Sequence, residues 1–139
     1  MFTFNEVFDA AQQLTAEERL RLACALARDY DGRTSEALAE AWAEDNLGMT
    51  KAGRGEAGID GVLPNGRTLQ VKSKKAGAHS DRATYVTLSQ GTLALADDLL
   101  IAFVDYETCT VTRTIGPIAI SSLTDRQGRY YVSDIVRGL

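Results

Sequence analysis

The sequence of 139 residues is poor in the side chains that build zinc sites and disulfide frameworks. It has only two cysteines, Cys24 and Cys109, whose spacing fits neither kind of site, and one histidine, His79. We expect both thiols to be reduced and buried, as is usual in a cytoplasmic protein. The longest unbroken apolar run, Leu99 to Val104, is far shorter than the ~20 residues of a membrane span.

Targeting signals, repeats and low-complexity tracts are also missing. The first residues include Glu6 and Asp9 and no basic cluster, so we expect no secretory signal and a cytoplasmic location. Hydrophobic residues make up 45% of the chain and charged residues 24%, a balance that excludes a wholly disordered protein. A chain of this length is long enough for one well-buried core.

The net charge of −4 conceals an uneven distribution. Residues 1–50 hold 10 acidic and 4 basic side chains, whereas residues 51–82 hold 3 acidic and 7 basic side chains. Residues 83–139 are again acidic overall. The positive charge is thus confined to one central stretch, where a polyanion could bind.

The first third of the chain has the apolar periodicity of helices. One stripe starts at Phe4, and a second helix is predicted from Thr15, because Glu18 completes a capping box with it. The predicted buried face of that second helix comprises Leu20, Leu22, Ala23, Leu26 and Ala27. A third helix should start near Thr34 or Ser35 and end at Gly48.

After Gly48 the pattern changes to strands and turns. The predicted strands are Ile59 to Leu63, Arg67 to Ser73, Tyr85 to Leu88, Leu99 to Val104, Thr110 to Ile115 and Tyr130 to Val132. A helical turn is expected near Thr92 to Asp97, and the apolar run before Asp105 is typical of a strand buried on both faces. This order predicts an α+β or mixed α/β domain.

The turn Pro64-Asn65-Gly66 decides whether three polar residues can meet. A two-residue loop would pair Asp60 with Val71 and direct Gln70 and Lys72 to the opposite face. A three-residue loop pairs Asp60 with Gln70 instead. Proline in a type I turn followed by a left-handed glycine favours the second register, which places the polar residues together.

These residue types suit phosphodiester hydrolysis. A carboxylate such as Asp60 is a hard oxygen ligand for Mg²⁺ or Mn²⁺, and the carbonyl oxygen of Gln70 is a weaker, neutral ligand. Lys72 could orient a water molecule or stabilise the developing negative charge. The alternative is an exposed hairpin with ordinary polar residues.

The segment Gly58-Ile59-Asp60-Gly61, followed by Leu69-Gln70-Val71-Lys72, resembles the signature of the PD-(D/E)XK, or restriction-endonuclease-like, superfamily. Its Gln-x-Lys form resembles the Mrr-type restriction endonucleases, although Gln70 replaces the usual acid and no proline precedes Asp60. The resemblance covers roughly residues 34–104, in the order helix, strand, hairpin with the signature, helical turn and further strand. It implies a core with a central mixed sheet flanked by helices. We assign residues 33–139 to this domain and residues 1–32 to an N-terminal helical extension.

The resemblance also implies a site. Asp60, Gln70 and Lys72 would be catalytic together with a helix glutamate. We prefer Glu36, because its distance from Gly48 better fits the family's helix-to-glycine spacing, and keep Glu40 as the alternative. The implied ligands of Mg²⁺ or Mn²⁺ are Asp60, Glu36, Gln70 and the backbone carbonyl of Val71. Glu56 is a further acid that could approach the metal. Nucleic-acid phosphates would be contacted by Lys74, Lys75 and Arg82.

Three candidate functions follow, from different classes. The first is a metal-dependent nuclease acting on nucleic acid, with DNA expected; a homodimer is compatible with it, since many nucleases cut both strands as symmetric dimers. The second is a catalytically inactive module of the same fold that binds a partner or acts as a scaffold, for example in a defence or toxin–antitoxin system. A third is a small immunity-type protein whose acidic face binds a basic partner.

Overall fold

The computed structural model describes residues 1–27, 34–53 and 58–139. Its helices are α1 Phe4–Gln12, α2 Ala16–Ala27, α3 Thr34–Leu47, α4 Gln90–Leu95 and α5 Val132–Arg137. The boundary predicted between residues 32 and 33, and the predicted end of the second helix at Asp31-Gly32, lie outside the described residues. Within the described part of the chain, no helix is long and apolar enough to cross a membrane.

The strands form one main sheet and one small sheet. They are β1 Thr50–Lys51, β2 Gly61–Val62, β3 Thr68–Lys75, β4 Tyr85–Thr87, β5 Asp98–Asp105, β6 Thr110–Ala119 and β7 Arg129–Tyr131. The main sheet has the order β1-β2-β3-β5-β6, in which β3 and β5 are parallel and the other neighbours antiparallel. Strands β4 and β7 pair separately. The predicted mixed α/β class is confirmed.

Strand β5 is the centre of the fold. Every residue from Asp98 to Val104 is buried, as the uninterrupted apolar run predicts. On one face, Leu100 and Ala102 pack with Ala39 and Ala43 of α3 and with Val71 of β3. Burial of each large aliphatic side chain here contributes about 1.5–3 kcal/mol, which fixes α3 against this face of the sheet.

The opposite face of β5 has its own core. Leu99, Ile101 and Phe103 pack there with side chains from β4, β7 and α5, among them Val86 and Ile135. Helix α5 is absent from the sequence prediction, and the resemblance predicts a strand before the hairpin without assigning residues to it, because α5 and β1 are each too short to show a periodicity. The residues of β7 were predicted as a strand, and the structure pairs them with β4 rather than with the main sheet.

Helix α2 has the predicted capping box, whereas the burial of the two N-terminal helices differs from what their apolar stripes suggest. The Thr15 backbone N–H donates to the Glu18 side chain at 3.0 Å, and the Glu18 N–H donates to the Thr15 hydroxyl at 3.2 Å, which confirms the capping box. However, α1 has no buried residue, and Phe4 is 69% exposed. The prediction of a buried face on α2 is wrong for Leu22 and Leu26, since Leu26 is 68% exposed.

The cysteine prediction is wrong for Cys109, which is exposed in the turn between β5 and β6. That turn connects two buried strands at the surface, and Cys109 takes a positive φ of 55° there. Nothing is described for the side chain of Cys24.

The hairpin between β2 and β3 has the register that the turn residues predict. Gly61 pairs with Leu69 and Val62 with Thr68, which is the register that a three-residue loop requires. The pairing ends at Gly61, and the Asp60 N–H donates to the Leu69 carbonyl, so the predicted pairing of Asp60 with Gln70 is not formed. The Gly66 N–H donates to the Leu63 carbonyl at 2.9 Å, which closes the three-residue turn, and Gly66 has the left-handed φ of +86°. The three-residue loop is confirmed.

Glycines on either side of Asp60 allow close approach of other segments. Gly58 has a φ of +95°, and a Cβ added there would lie 2.5 Å from the backbone of Gly91 at the start of α4. A Cβ on Gly61 would lie 2.4 Å from the side chain of Met49. The glycine pattern around Asp60 therefore lets α4 and the end of α3 pack closely against this loop.

We expect Gly58→Ala to lower the free energy of unfolding by at least about 2 kcal/mol, because the substitution combines a positive φ with a backbone clash. The matched control is Gly77→Ala, at a φ of +73° with no atom within 4 Å of the added Cβ. It should cost about 1 kcal/mol from backbone strain alone. Urea denaturation measures both, and equal losses would contradict the close packing of α4 on Gly58.

Candidate functional site

Asp60 lies where β2 and β3 separate, and the backbone holds it firmly. Its N–H donates to the Leu69 carbonyl at 2.8 Å, and its own carbonyl accepts from the Ala52 N–H at 2.9 Å. Its carboxylate oxygen Oδ2 accepts a hydrogen bond from the Val71 N–H at 2.7 Å. The Asp60 carboxylate thus accepts the hydrogen bond that a backbone carbonyl of a neighbouring strand would otherwise accept, and it lies in the gap between β2 and β3.

Glu40 reaches this gap from helix α3. Its neighbours on the helix, Ala39 and Ala43, are fully buried against the sheet, and the small alanines let the helix backbone come close. The Glu40 side chain is only 16% exposed, and its carboxyl group shares a hydrogen bond with Asp60. Lys51 of β1 lies 3.9 Å from the Glu40 carboxylate.

The two acids affect each other's protonation. Burial, and then the negative charge of Asp60, raise the pKa of Glu40 to about 7. Burial also raises the pKa of Asp60, while the Val71 N–H and the charge of Lys72 act in the opposite direction. We assign the shared proton at neutral pH to Glu40, because Asp60 has the backbone N–H that favours its charged form.

Lys72 approaches Asp60 from the other side of the sheet. Leu69 and Val71 pack on the α3 face, so alternation along β3 directs Gln70, Lys72 and Lys74 to the opposite face. The charge of Lys72 lowers the pKa of Asp60, which places the ammonium group near the carboxylate. The gap therefore has an acid pair on one side and a cation on the other.

Gln70 and Val71 complete the set predicted from the sequence. Gln70 is half-buried and directly follows Leu69, whose carbonyl accepts from the Asp60 N–H. Because a strand residue directs its N–H and carbonyl to the same neighbouring strand, the Val71 carbonyl points to the gap in which its N–H meets Asp60.

The structure favours Glu40 over Glu36 as the partner of Asp60. Glu36 is exposed, and its negative charge raises the pKa of both Glu40 and Asp60. It therefore lies in the neighbourhood of the pair, one turn away, but Glu40 makes the hydrogen bond. The preference for Glu36 in the sequence analysis rests on its spacing to Gly48. That spacing carries no information on how deeply each residue of the helix is buried.

The predicted nucleic-acid residues do not form one row. Lys74 lies on the Lys72 face, with its Nζ 5.6 Å from the centre of the Tyr85 ring. Lys75 alternates to the other side, and its Nζ lies 5.5 Å from the Tyr106 ring. Arg82 borders a separate cleft. His79 is exposed, and Glu56 lies outside the described residues.

The donor set fits a hard divalent cation, although it is small. The described residues contain no group of three or more histidine, cysteine or acidic side chains that could hold a metal ion. Asp60 and Glu40 offer two carboxyl groups, and Gln70 and the Val71 carbonyl can add neutral oxygens. Carboxylates and carbonyls suit Mg²⁺ or Mn²⁺ rather than soft metals, so the residues present are compatible with the predicted metal.

One feature near this site escaped the sequence reasoning. Arg67, at the end of the hairpin turn, makes a two-point ion pair with Asp98 at 2.9 and 2.6 Å. The partners are 31 residues apart, so no local pattern reveals them. This bridge fixes the start of β3 to the start of β5 and so supports the strand that carries Gln70, Val71 and Lys72.

Comparison with models of known protein families finds no match, and a search among curated proteins finds none either. The resemblance of the Asp60 and Gln70-x-Lys72 segments to a nuclease family therefore stays a prediction. What the protein does must be inferred from the chemistry of the site itself.

The acid pair predicts a pH-dependent stability. Since the pKa of Glu40 rises from 4.5 to about 7 on folding, the folded protein keeps a proton that the unfolded chain releases. The free energy of unfolding should therefore fall as the pH rises from about 4.5 to about 7, and level off above that. Urea denaturation across this range, in the presence of EDTA, measures the slope.

Glu40→Gln should flatten this slope, because the amide can still donate to Asp60 but does not ionise. The matched control Glu44→Gln, one turn further along α3, should keep the wild-type slope. Equal slopes in wild type and Glu40→Gln would contradict the proton shared with Asp60.

Proposed function

We propose that the protein is a metal-dependent phosphodiesterase that hydrolyses the backbone of nucleic acid, with DNA as the expected substrate, in the cytoplasm. One observation carries this proposal: Asp60, Glu40 and Lys72 approach one another at the gap between β2 and β3. Two carboxyl groups beside an amine, with backbone carbonyls near them, are the groups that metal-assisted phosphodiester hydrolysis requires.

Each residue of the site would have a distinct role in the reaction. Asp60 and Glu40 would hold Mg²⁺ or Mn²⁺, with the Gln70 amide oxygen and the Val71 carbonyl as further ligands. When bound, the ion polarises the phosphate and lowers the pKa of an attacking water molecule. Lys72 would orient that water or stabilise the negative charge that develops on the phosphate.

The order of elements supports the same proposal. The resemblance predicts a helix, a strand, a hairpin that carries the signature, a helical turn and a further strand. The chain has α3, β1, the β2–β3 hairpin, α4 and β5 in that order, with β5 parallel to β3. A shared order of elements supports a fold assignment more strongly than an activity.

A second candidate is a catalytically inactive module of the same fold. The neutral Gln70 in place of an acid lowers the charge available to a metal, and the exposed apolar side chains of α1 offer a surface for a protein partner. A scaffold has no need to bind the ion, so metal binding separates the two candidates.

Calorimetric titration with Mg²⁺ and Mn²⁺ should show binding to the wild type and none to Asp60→Asn. Asparagine is preferable to alanine at this position, because its side-chain oxygen can still accept from the Val71 N–H and so preserve the local fold.

Asp60→Asn and Glu40→Gln should abolish metal-dependent cleavage of DNA, while Glu44→Gln should cleave like the wild type. Lys72→Ala should lower kcat by about a hundred-fold or more.

Cleavage assays need supercoiled, linear and single-stranded DNA with each metal. If the wild type binds neither ion and cleaves none of these substrates, the nuclease proposal fails and the scaffold candidate stands.

Gln70→Glu tests whether Gln70 is a ligand. An added carboxylate at a true ligand position should tighten metal binding and preserve or raise the cleavage rate, because hard cations prefer charged oxygens. Metal affinity and cleavage rate are the measurements, with Gln90→Glu at the exposed start of α4 as the control for added charge. Unchanged metal affinity in Gln70→Glu would remove Gln70 from the proposed site.

A further inference from the structure

An open cleft of about 880 Å³ lies apart from the acid pair, between the turn at Arg82, the turn at Arg126 and the segment from β7 into α5. Three arginines line it: Arg82, Arg126 and Arg137. Tyr131 and Ser133 contribute to its wall. Its lining is therefore rich in guanidinium groups, with an aromatic ring and a hydroxyl among them.

The two aspartates of this cleft are already neutralised. Asp134 pairs with both Arg126, at 2.6 Å, and Arg137. Asp81 makes two hydrogen bonds, at 2.8 and 2.9 Å, with Arg113. Arg82 makes no ion pair within the described ranges. The cleft thus has an excess of positive charge, and the two arginines on Asp134 are held in place by their shared carboxylate.

A chain of contacts connects the cleft to the face of β3 that carries Lys72. The Tyr131 and Tyr85 rings are in tilted contact, with 5.5 Å between ring centres and 53° between their planes, and the Lys74 Nζ lies 5.6 Å from the centre of the Tyr85 ring. Lys72 precedes Lys74 on the same face of β3. Lysine and tyrosine side chains therefore connect the acid pair to the arginine cleft. None of these connecting residues is acidic.

We propose that this cleft binds the phosphodiester backbone of a nucleic acid whose neighbouring segment lies at the Asp60–Glu40 pair; the substrate class rests on the proposed function. Guanidinium groups bind phosphate oxygens through paired hydrogen bonds, and the Ser133 hydroxyl is a further donor. The continuity along Lys74, Tyr85 and Tyr131 favours a polymer over a single phosphate, because only a polymer spans both places.

Fluorescence anisotropy with a labelled DNA oligonucleotide tests the cleft. Asp60→Asn serves as the background, in EDTA, so that no cleavage occurs. Arg82→Ala in that background should weaken binding by about three- to ten-fold near 0.1 M salt and reduce the slope of log K against log salt by about one. Arg82→Lys should recover part of the loss.

The matched control is Arg19→Ala on α2, an exposed arginine whose guanidinium donates a hydrogen bond to the Gln12 side chain at 3.3 Å. It should bind like the background. Equal affinities for the Arg82→Ala and Arg19→Ala proteins, or no binding of the oligonucleotide at low salt, would overturn the cleft proposal. Displacement of the probe by inorganic phosphate as effectively as by unlabelled oligonucleotide, at equal phosphate concentration, would overturn a polymeric ligand.

Cleavage kinetics separate this proposal from the proposed activity. If Arg82→Ala raises KM and leaves kcat unchanged, both stand. Metal-dependent cleavage that is insensitive to Arg82 would overturn the cleft and leave the nuclease. Binding that depends on Arg82 in a protein without any cleavage would support the cleft and overturn the nuclease.

Discussion

The burial of β5 on both faces is the constraint on which the rest of the molecule depends. Its apolar side chains alternate between two cores, one covered by α3 and the other by β4, β7 and α5. Parallel pairing with β5 fixes the register of β3 along its whole length. Strand β3 in turn carries Gln70, Val71 and Lys72. The positions of the groups in the candidate site thus depend on the packing of one buried strand, β5.

The same two-sided burial explains why the site combines an acid pair with a cation. Helix α3 covers one face of the sheet and brings Glu40 to Asp60, whereas Lys72 belongs to the other face. They meet because β2 is short and leaves β3 at Asp60, whose carboxylate occupies the gap and accepts from the Val71 N–H. Half-burial raises the pKa of both acids, so the pair carries less negative charge at neutral pH than two surface carboxylates would. In the proposed function, a divalent cation bound between the two acids would permit both of them to ionise.

The second face of β5 positions the cationic surface of the protein. The small β4–β7 sheet and α5 close the core there, and the cross-strand pair of Tyr85 and Tyr131 lies at its surface. The side chains close to this pair are cationic: Lys74, Arg129 and the arginines of the cleft. The acid pair and the cationic surface are therefore arranged around one sheet, and a polyanion could contact both. Exposed α1 takes no part in either core.

The sequence by itself determined the parts that depend on neighbours in the chain. The capping box at Thr15 and Glu18, the turn at Pro64 to Gly66 with its Gly61–Leu69 register, and the burial of β5 all follow from local residue types and periodicity. Tertiary structure decided everything that joins distant segments. Only packing of α3 on the sheet distinguishes Glu40 from Glu36, because both have the same residue type one helical turn apart. Only the pairing of β4 with β7 brings Arg82 near Arg126 and Arg137, which lie in a stretch that is acidic overall. The burial predicted for Leu22 and Leu26 of α2 is wrong for the same physical reason. An apolar stripe shows which face a helix could bury, but not whether another surface covers it.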